Sequence, residues 1–352
     1  MTIFSPGPSQ VYPEIKKYLQ QAFEEGILSI SHRSETFNRM SEQTLNLLRQ
    51  KLAVPDGYVI LYTSSATECW EIIAQSFTRS QNVHFHSGSF GEKWFQYGHA
   101  IKPATHGIAM PLNKSLDVDT MDVRLEDEII CLTQNETSNG TQIDFDTLAS
   151  IRGAFPDHLL ALDCTSSMAG ITLPFTLGDI WFASVQKCFG LPAGLGILIL
   201  SPNAVAKAEE IQDRTYYNSA LTMLRYIEKF QTSCTPNVLG IYLLGKVLAE
   251  VEPIERVDEK LRKRMNSYED LFSEGAYKPL ITNTKVRSRT VLTIESSPEK
   301  IDTIKKEAKA EGMFFGAGYG TWKPTTFRIA NFPAHTDEQV YSLVKFLKNT
   351  LK

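Results

Sequence analysis

Between about residues 57 and 200, short apolar runs typical of buried strands alternate with longer amphipathic segments typical of helices. The apolar runs are 57–62, 82–86, 128–133, 158–163 and 179–187. This alternation favours a doubly wound, largely parallel sheet, because each helix returns the chain to begin the next strand in the same direction. Ligands of such sheets bind beyond the carboxyl ends of the strands. The sequence therefore predicts an α/β fold with a binding site along that edge.

Lys187 stands where one of these apolar runs ends. Residues 180–185 are apolar or small, and the Gly- and Pro-containing run 188–195 must turn before a further apolar run at 196–200. A lysine fixed at such a junction is poorly solvated, and desolvation disfavours the ammonium. The neutral amine is a nucleophile that can form a Schiff base with an aldehyde. The alternative is a lysine whose long side chain simply reaches out to water.

Asp163 ends the preceding apolar run and makes the first interpretation of Lys187 more specific. A lone aspartate after a strand is usually a turn or cap residue. A strand that ends in Asp followed by a strand that ends in Lys, however, describes a pyridoxal phosphate site. The carboxylate keeps the pyridine nitrogen protonated, and the lysine carries the aldehyde as an imine.

Two helices also begin directly after predicted strands. Ser65 and Glu68 have capping-box spacing at the start of a helix that reaches about residue 77. The first turn of such a helix is suited to hold a phosphate group. Phe90 lies in the first turn of another helix, and its ring can either stack on a flat cofactor or pack in the core. Because they all follow strands, we expect one group of residues to gather at one edge of the sheet: Ser65, Phe90, Thr137, Asp163 and Lys187.

The bulk properties exclude several classes of partner. A net charge of −4 gives no basic surplus for nucleic acid or an anionic membrane. The longest apolar stretch, 195–200, is far too short for a membrane span. His84 and His86 share a strand face without a third ligand, so no metal site is predicted. Five cysteines with no CxxC pattern, and residues 1–8 unlike a signal peptide, favour a cytoplasmic protein with reduced thiols.

The length of 352 residues predicts a large domain and a smaller one. Pro253 is a plausible junction, because a long charged helix and a second strand-and-helix pattern follow it. We therefore expect an N-terminal arm over 1–14, a large ligand-binding domain over 15–252 and a small α+β domain over 253–352.

With these residues in view, the chain resembles the class V pyridoxal phosphate-dependent aminotransferases. The most specific match is Gln186-Lys187 ahead of the turn 192–195. Further matches span nearly the whole chain: 4–8, 31–33, 135–137, 163–167, 234–236, 287–289 and Arg328. The resemblance implies a transferase of fold type I, with a mainly parallel seven-stranded sheet and a small C-terminal α+β domain. It also implies a homodimer with shared active sites and small-molecule amino and oxo acids as substrates.

The resemblance implies a role for each matching residue. Lys187 is expected to carry the cofactor and Asp163 to pair with its ring nitrogen. The other expected cofactor contacts are Phe90 on the ring, Thr137 near the ring hydroxyl, Ala66, Thr67 and Gln186 at the phosphate, and Thr235 with Cys234 reaching that phosphate from the partner subunit. Arg328 is expected to bind the substrate α-carboxylate, and His32 and Arg33 the substrate phosphate or distal carboxylate.

Three positions differ from the family pattern. Phe90 stands where the family usually has Trp, and Thr67 where it often has Arg. Residues 320–324 replace a second His-Arg pair. Trp322 and Lys323 could supply a donor and a charge there, although lysine lacks the planar fork of arginine.

The run 31–33, Ser-His-Arg, favours the branch of this family that exchanges an amino group between glutamate and 3-phosphohydroxypyruvate in serine biosynthesis. The alternative is a class V aminotransferase whose acceptor is not phosphorylated, such as glyoxylate or pyruvate. Cysteine desulfuration would need a mobile cysteine late in the small domain, and none follows Cys234. A non-catalytic binding protein on the same scaffold is disfavoured by the intact Asp163 and Lys187.

Overall fold

The computed structural model describes residues 1–275 and 277–350. The described residues form helices α1 (Ile15–Glu24), α2 (Glu35–Leu52), α3 (Ala66–Ser76), α4 (Ser89–Ile101), α5 (Phe145–Ala154), α6 (Pro202–Ile211), α7 (Ala220–Ile227), α8 (Val238–Glu250), α9 (Ile254–Ser273), α10 (Pro298–Ala310) and α11 (Asp337–Asn349). They form strands β1 (Thr2–Phe4), β2 (Val59–Thr63), β3 (Gln81–His86), β4 (His106–Ala109), β5 (Asp127–Thr133), β6 (Asn135–Glu136), β7 (Thr141–Gln142), β8 (Leu159–Asp163), β9 (Ile180–Ser184), β10 (Gly196–Leu200), β11 (Lys278–Pro279), β12 (Val291–Glu295), β13 (Met313–Ala317) and β14 (Thr326–Ala330).

The large sheet has seven strands in the order β2-β10-β9-β8-β5-β3-β4. The strands from β9 to β4 are parallel to their neighbours, whereas β10 is antiparallel to both β9 and β2. The predicted mainly parallel seven-stranded sheet is therefore confirmed. Because β5, β8 and β9 are parallel, their carboxyl ends lie side by side on one edge.

Helices cover both faces of this sheet. Successive side chains of β9 point to opposite faces, so Trp181 belongs to the hydrophobic cluster that includes α1, α2 and α8, and Phe182 belongs to the cluster that includes α3 and α4. All five residues of β9 are buried. This two-sided burial is the physical reason that the strand is a continuous apolar run without polar alternation.

The second sheet has five strands in the order β1-β13-β14-β12-β11. It is antiparallel except where β1 runs parallel to β13. Helices α9, α10 and α11 pack on it through Tyr268, Ile304 and Leu343. The predicted small α+β layer at the C-terminal end of the chain is thus present.

The N-terminal segment is bound to the small sheet and to the turn after β9 of its own chain. Thr2–Phe4 pairs with β13, and the Ser9 N–H donates to the carbonyl of Gln186 at 3.1 Å. The Tyr12 N–H donates to the carbonyl of Gly190 at 3.0 Å. These bonds hold the segment over the turn that follows β9. The division into an arm (1–14), a large domain (15–252) and a small domain (253–352) remains a prediction.

Within residues 1–275 and 277–350, none of the helices combines the length and the apolar composition that a membrane span requires.

Candidate active site

A cleft of about 370 Å³ opens at the carboxyl ends of β5, β8 and β9. Eight of the predicted site residues line it: Ala66, Thr67, Phe90, Thr137, Asp163, Gln186, Lys187 and Arg328. They come from helices, strand ends and loops that are far apart in the sequence. The parallel sheet brings most of them together, as the strand order predicts.

Lys187 lies at the floor of the cleft and is 7% exposed. Its Nζ donates to Thr137 Oγ1 at 2.6 Å and to Ser166 Oγ at 2.9 Å, and it lies 5.3 Å from the centre of the Phe90 ring. A side chain at Gly7 would come within 3.1 Å of the Lys187 Cε, so the N-terminal segment packs directly on the lysine. Burial lowers the pKa of the Lys187 ammonium to about 8. The neutral amine is therefore far more populated near physiological pH than it would be for a lysine in water.

Asp163, the last residue of β8, is held by hydrogen bonds from two sides. Its Oδ2 accepts from Trp70 Nε1 at 3.3 Å, and its Oδ1 accepts from the Thr165 N–H at 2.9 Å and hydroxyl at 2.6 Å. Burial raises the pKa of the Asp163 carboxyl, whereas the hydrogen bonds from Thr165 and the charge of Lys187 oppose that rise. The result is an oriented carboxylate whose charge a cation in the cleft would stabilise.

Helix α3 begins at the wall of the cleft. Ser65 caps it by accepting from the Glu68 N–H at 3.2 Å, and the Ala66 N–H donates to Ser184 Oγ at 2.7 Å. The Glu68 carboxylate binds the N–H of Ser64 at 2.6 Å, so the predicted capping box is shifted by one residue on this side. Ala66 and Thr67 face the cleft at the positive end of the helix dipole, which suits a phosphate group.

Glu136 determines where Phe90 lies. This carboxylate is fully buried and accepts from the N–H groups of Phe90 at 3.2 Å, Gly91 at 3.0 Å and Ser138 at 2.9 Å. A Cβ at Gly88 would come within 2.6 Å of the Glu136 side chain, so the glycine is needed for this close approach. Glu136 thus caps α4 from a distant segment and places the Phe90 ring over the cleft.

Arg328 reaches the cleft from β14 of the small sheet. Its Nε donates to the carbonyl of Ala317 at 2.7 Å and its Nη1 to the carbonyl of Thr137 at 2.8 Å. Burial lowers the pKa of the Arg328 guanidinium to about 10, so it remains a cation at neutral pH. The arginine therefore offers a fixed positive charge on the side of the cleft formed by the small sheet.

Two residues that line the cleft each carry a buried polar atom that has no hydrogen-bond partner among the described residues. These atoms are Thr133 Oγ1 and Asn135 Oδ1. Unpaired buried polar groups are costly, and a polar ligand would satisfy them. Together with the amine, the carboxylate and the helix start, they fit a ligand that has an aldehyde, a basic ring nitrogen and a phosphate.

Six of the predicted residues lie outside the cleft of their own chain: His32, Arg33, Cys234, Thr235, Trp322 and Lys323. Arg33 donates to Gln231 Oε1 at 2.9 Å, and its guanidinium lies 4.4 Å from the centre of the Tyr226 ring. The His32 ring packs edge-on against Phe37.

Cys234 and Thr235 line a separate cavity of about 120 Å³ beside Glu68. Trp322 packs against the cluster that contains Ile281, and Lys323 is exposed.

Sequence reasoning missed several residues of the cleft wall: Trp70, Lys93, Tyr97, Thr165, Ser184 and Tyr319. Tyr319 stacks on Phe90 with ring centres 5.1 Å apart, and Lys93 donates to the Tyr319 hydroxyl at 2.9 Å. Lys93 lies one helical turn after Phe90, and this i, i+3 spacing was the available signal. Tyr319 had no such signal, because its position depends on how the small sheet meets α4.

Comparison with known proteins agrees with this geometry. A model of the aminotransferase class-V family matches residues 4–318. The matched region ends before Arg328. A phosphoserine aminotransferase of Rhodococcus opacus is 28% identical over 97% of this chain and 93% of its own. The crystal structure of a phosphoserine aminotransferase from Cytophaga hutchinsonii is 33% identical and superposes with a TM-score of 0.91 over 99% of this chain and 98% of that one.

An alanine–glyoxylate aminotransferase from Nostoc shares the fold at 18% identity, with a TM-score of 0.84 over 100% of this chain and 96% of its own. These similarities over nearly the full length also confirm the predicted fold type I. The chain therefore belongs to the class V aminotransferases and is a transaminase.

Proposed function

We propose that this protein is a phosphoserine aminotransferase, which exchanges an amino group between glutamate and 3-phosphohydroxypyruvate in serine biosynthesis. The observation that carries the proposal is the buried pair at the sheet edge, Lys187 with a pKa near 8 and the hydrogen-bonded Asp163. The names of the relatives from Rhodococcus opacus and Cytophaga hutchinsonii support the choice of substrate.

Membership of this family implies pyridoxal phosphate. When bound, it supplies an aldehyde that bonds an amine and a ring that accepts electrons from the substrate Cα. We assign Asp163 to the ring nitrogen, Phe90 to the ring face and Thr137 to the ring hydroxyl. For the phosphate we assign Ala66, Thr67 and Gln186, of which Ala66 and Thr67 begin helix α3.

Lys187 acts as the group that holds the cofactor and then moves a proton. Because burial lowers its pKa, its amine is available as a nucleophile and as a base at the substrate Cα. The hydroxyls of Thr137 and Ser166 orient its Nζ. Arg328 binds the α-carboxylate and so fixes the Cα–H bond relative to that amine.

We further propose a cytoplasmic homodimer with shared sites. His32 and Arg33 would then bind the substrate phosphate or distal carboxylate in the partner's cleft, where Thr235 and Cys234 would reach the cofactor phosphate. Trp322 and Lys323, next to the Tyr319 that lines the cleft, are candidates for the same distal anion. All five cysteines are free thiols, which fits a reducing compartment.

An aminotransferase with a non-phosphorylated acceptor, such as glyoxylate or pyruvate, is the second candidate. One observation favours it. Among the described residues that line the cleft, Arg328 is the only arginine. Because we assign it to the α-carboxylate, no second guanidinium of this lining is left to bind a substrate phosphate.

A substrate screen separates the two functions. The purified protein with pyridoxal phosphate and glutamate is offered 3-phosphohydroxypyruvate, hydroxypyruvate, pyruvate and glyoxylate, and kcat/KM is measured for each. A clear preference for the phosphorylated acceptor supports the proposal, whereas equal or higher kcat/KM with plain oxo acids supports the alternative. Borohydride reduction followed by peptide mapping should tag Lys187, and a tag elsewhere would contradict its assignment.

A further inference from the structure

We propose that Lys93 binds the distal anion of the substrate, which is the carboxylate or phosphate at the end remote from the reacting amino group, and that Tyr319 positions it. The inference deepens the proposed function and rests on it. It assigns to this chain's own cleft a recognition group for acids that carry two anionic ends.

One of the cationic side chains that line the cleft has no assigned role so far. Among the described lining residues, the cations are Lys93, Lys187 and Arg328, and the carboxylate is Asp163. Lys187 is needed for the cofactor and Arg328 for the α-carboxylate. Lys93 is therefore the cation of this chain's own lining that remains for a second anion, beside the His32 and Arg33 that the proposed dimer would bring from the other subunit.

The position of Lys93 is defined by two aromatic rings. Its Nζ donates to the Tyr319 hydroxyl at 2.9 Å and lies 5.3 Å from the centre of the Tyr319 ring and 5.9 Å from that of Phe90. Tyr319 in turn stacks on Phe90 with ring centres 5.1 Å apart. The ammonium thus stands beside the rings at the cleft wall.

The charge of Lys93 is available to a ligand. Its partner is a hydroxyl and not a carboxylate, whereas Lys207 on α6 pairs with the Glu128 carboxylate at 2.9 Å. The acidic group near Lys93 is Glu136, whose oxygens already accept three backbone N–H bonds. The hydrogen bond to Tyr319 raises the pKa of the Lys93 ammonium, so it is fully charged at neutral pH.

The distance to Arg328 suits a short acid with two anionic ends. The Arg328 guanidinium carbon and the Lys93 Nζ each lie 5.3 Å from the centre of the same Tyr319 ring. They are therefore no further apart than twice that distance. With two charge-assisted hydrogen bonds of about 2.8 Å each, the span left between the two anionic ends is at most about 5 Å, which is within the reach of the few-atom chain of glutamate, 2-oxoglutarate or phosphoserine.

The test compares acids that have a distal anion with acids that lack one. Steady-state kcat and KM are measured for Lys93→Met with glutamate and 2-oxoglutarate, with phosphoserine, and with alanine and pyruvate. Met keeps the aliphatic length and removes the charge, Lys93→Arg keeps the charge, and Lys306→Met removes an exposed charge on α10 as a matched control.

We expect Lys93→Met to lower kcat/KM about tenfold or more for at least one class of acid with a distal anion, mainly through KM, because the variant loses a hydrogen bond between two charged groups. The kcat/KM for that acid divided by the kcat/KM for alanine should fall by the same factor. Lys93→Arg should restore most of the lost kcat/KM. A loss with glutamate alone assigns the site to a carboxylate, and a loss with phosphoserine alone assigns it to a phosphate. Tyr319→Phe, which frees Lys93, should raise the same KM values by a smaller factor.

Equal losses for all acids would show that Lys93 only ties α4 to the small sheet, and no loss would show that it does not contact substrate; both results overturn the proposal. If Lys93→Met does not fold, the affinities of Tyr319→Phe for 2-oxoglutarate and for pyruvate are measured by calorimetry. A loss of affinity for 2-oxoglutarate relative to pyruvate supports the proposal, and equal affinity changes overturn it. A wild-type enzyme that uses glutamate but no phosphorylated acid refutes the proposed phosphoserine activity, while the Lys93 test on glutamate still stands. A wild-type enzyme without activity on any acid that has two anionic ends overturns both.

Discussion

Replacing Lys187 by Met should stabilise the cofactor-free protein at neutral pH even though it abolishes transamination. Burial lowers the pKa of this lysine from 10.5 to about 8. Because one pKa unit corresponds to about 1.4 kcal/mol, keeping the ammonium in the folded state costs roughly 3 kcal/mol relative to the unfolded chain. Met is similarly long and unbranched, so the substitution removes this cost without leaving a large cavity.

Part of the gain is offset by lost hydrogen bonds. Lys187 donates to Thr137 and Ser166, and a typical hydrogen bond contributes about 1 kcal/mol. The two hydroxyls also bond to each other, so neither is left unpaired. The expected net stabilisation is therefore about 1–2 kcal/mol at neutral pH.

The pH dependence identifies the cause. Between the folded pKa of about 8 and the unfolded value of 10.5, the unfolded chain binds more protons at Lys187, so the wild-type free energy of unfolding rises with pH in this window. The Met variant has no such group. Its advantage should be largest below about pH 8 and should shrink steadily above that pH, so that near pH 10 the lost hydrogen bonds leave the variant less stable than the wild type.

The assay is chemical denaturation of both cofactor-free proteins at equal concentration, at neutral pH and near pH 10, with the exposed Lys306→Met as control. A Lys187→Met variant that is less stable at neutral pH would refute the argument, and so would an advantage that does not change with pH. Loss of turnover in the same variant is checked separately with the cofactor present.

Three further predictions concern the same site. Asp163→Asn should lower kcat at least about tenfold, because a carboxylate shifts the pKa of a neighbouring cation by about 1–3 units; an unchanged kcat in the cofactor-loaded variant would contradict its role. Glu136→Gln should lower the free energy of unfolding by about 1–3 kcal/mol, because an amide oxygen cannot accept all three backbone N–H bonds; an unchanged denaturation midpoint would contradict the capping role. Cofactor uptake by the cofactor-free protein should accelerate with rising pH and level off above about pH 8, as the Lys187 amine becomes neutral; stopped-flow absorbance that shows slower uptake at higher pH would argue against this amine.

The pair at the centre of the site could be predicted because it depends on strand direction alone. Asp163 ends β8 and Lys187 follows the neighbouring parallel strand β9, and the carboxyl ends of parallel strands meet at one edge whatever the details of packing. The core strands could also be predicted from the sequence. Strand β9, for example, is buried on both faces and is therefore continuously apolar.

The supporting contacts could not be predicted because they join segments whose approach depends on packing. Trp70 donates to Asp163 from helix α3, and Tyr319 reaches Phe90 only because the small sheet meets α4. The strand Thr2–Phe4 is too short to carry a periodic pattern, and its partner β13 lies at the other end of the chain.

The three ionisable groups of the cleft share one physical condition that explains why the site depends on the rest of the fold. Burial moves the pKa of Asp163 up and the pKa values of Lys187 and Arg328 down, so each group is driven towards its neutral form. All three are nonetheless held in place, Asp163 by a hydrogen bond that α3 donates, and Lys187 and Arg328 by hydrogen bonds that they donate to the loop after β6 and to β13. A bound ligand with complementary charges relieves this cost, because each buried group then gains a charged partner. Part of the free energy of the two-sided sheet core is thus used to keep the cleft ready for an anionic cofactor and substrate, which is why a less reactive residue at 187 should make the cofactor-free protein more stable.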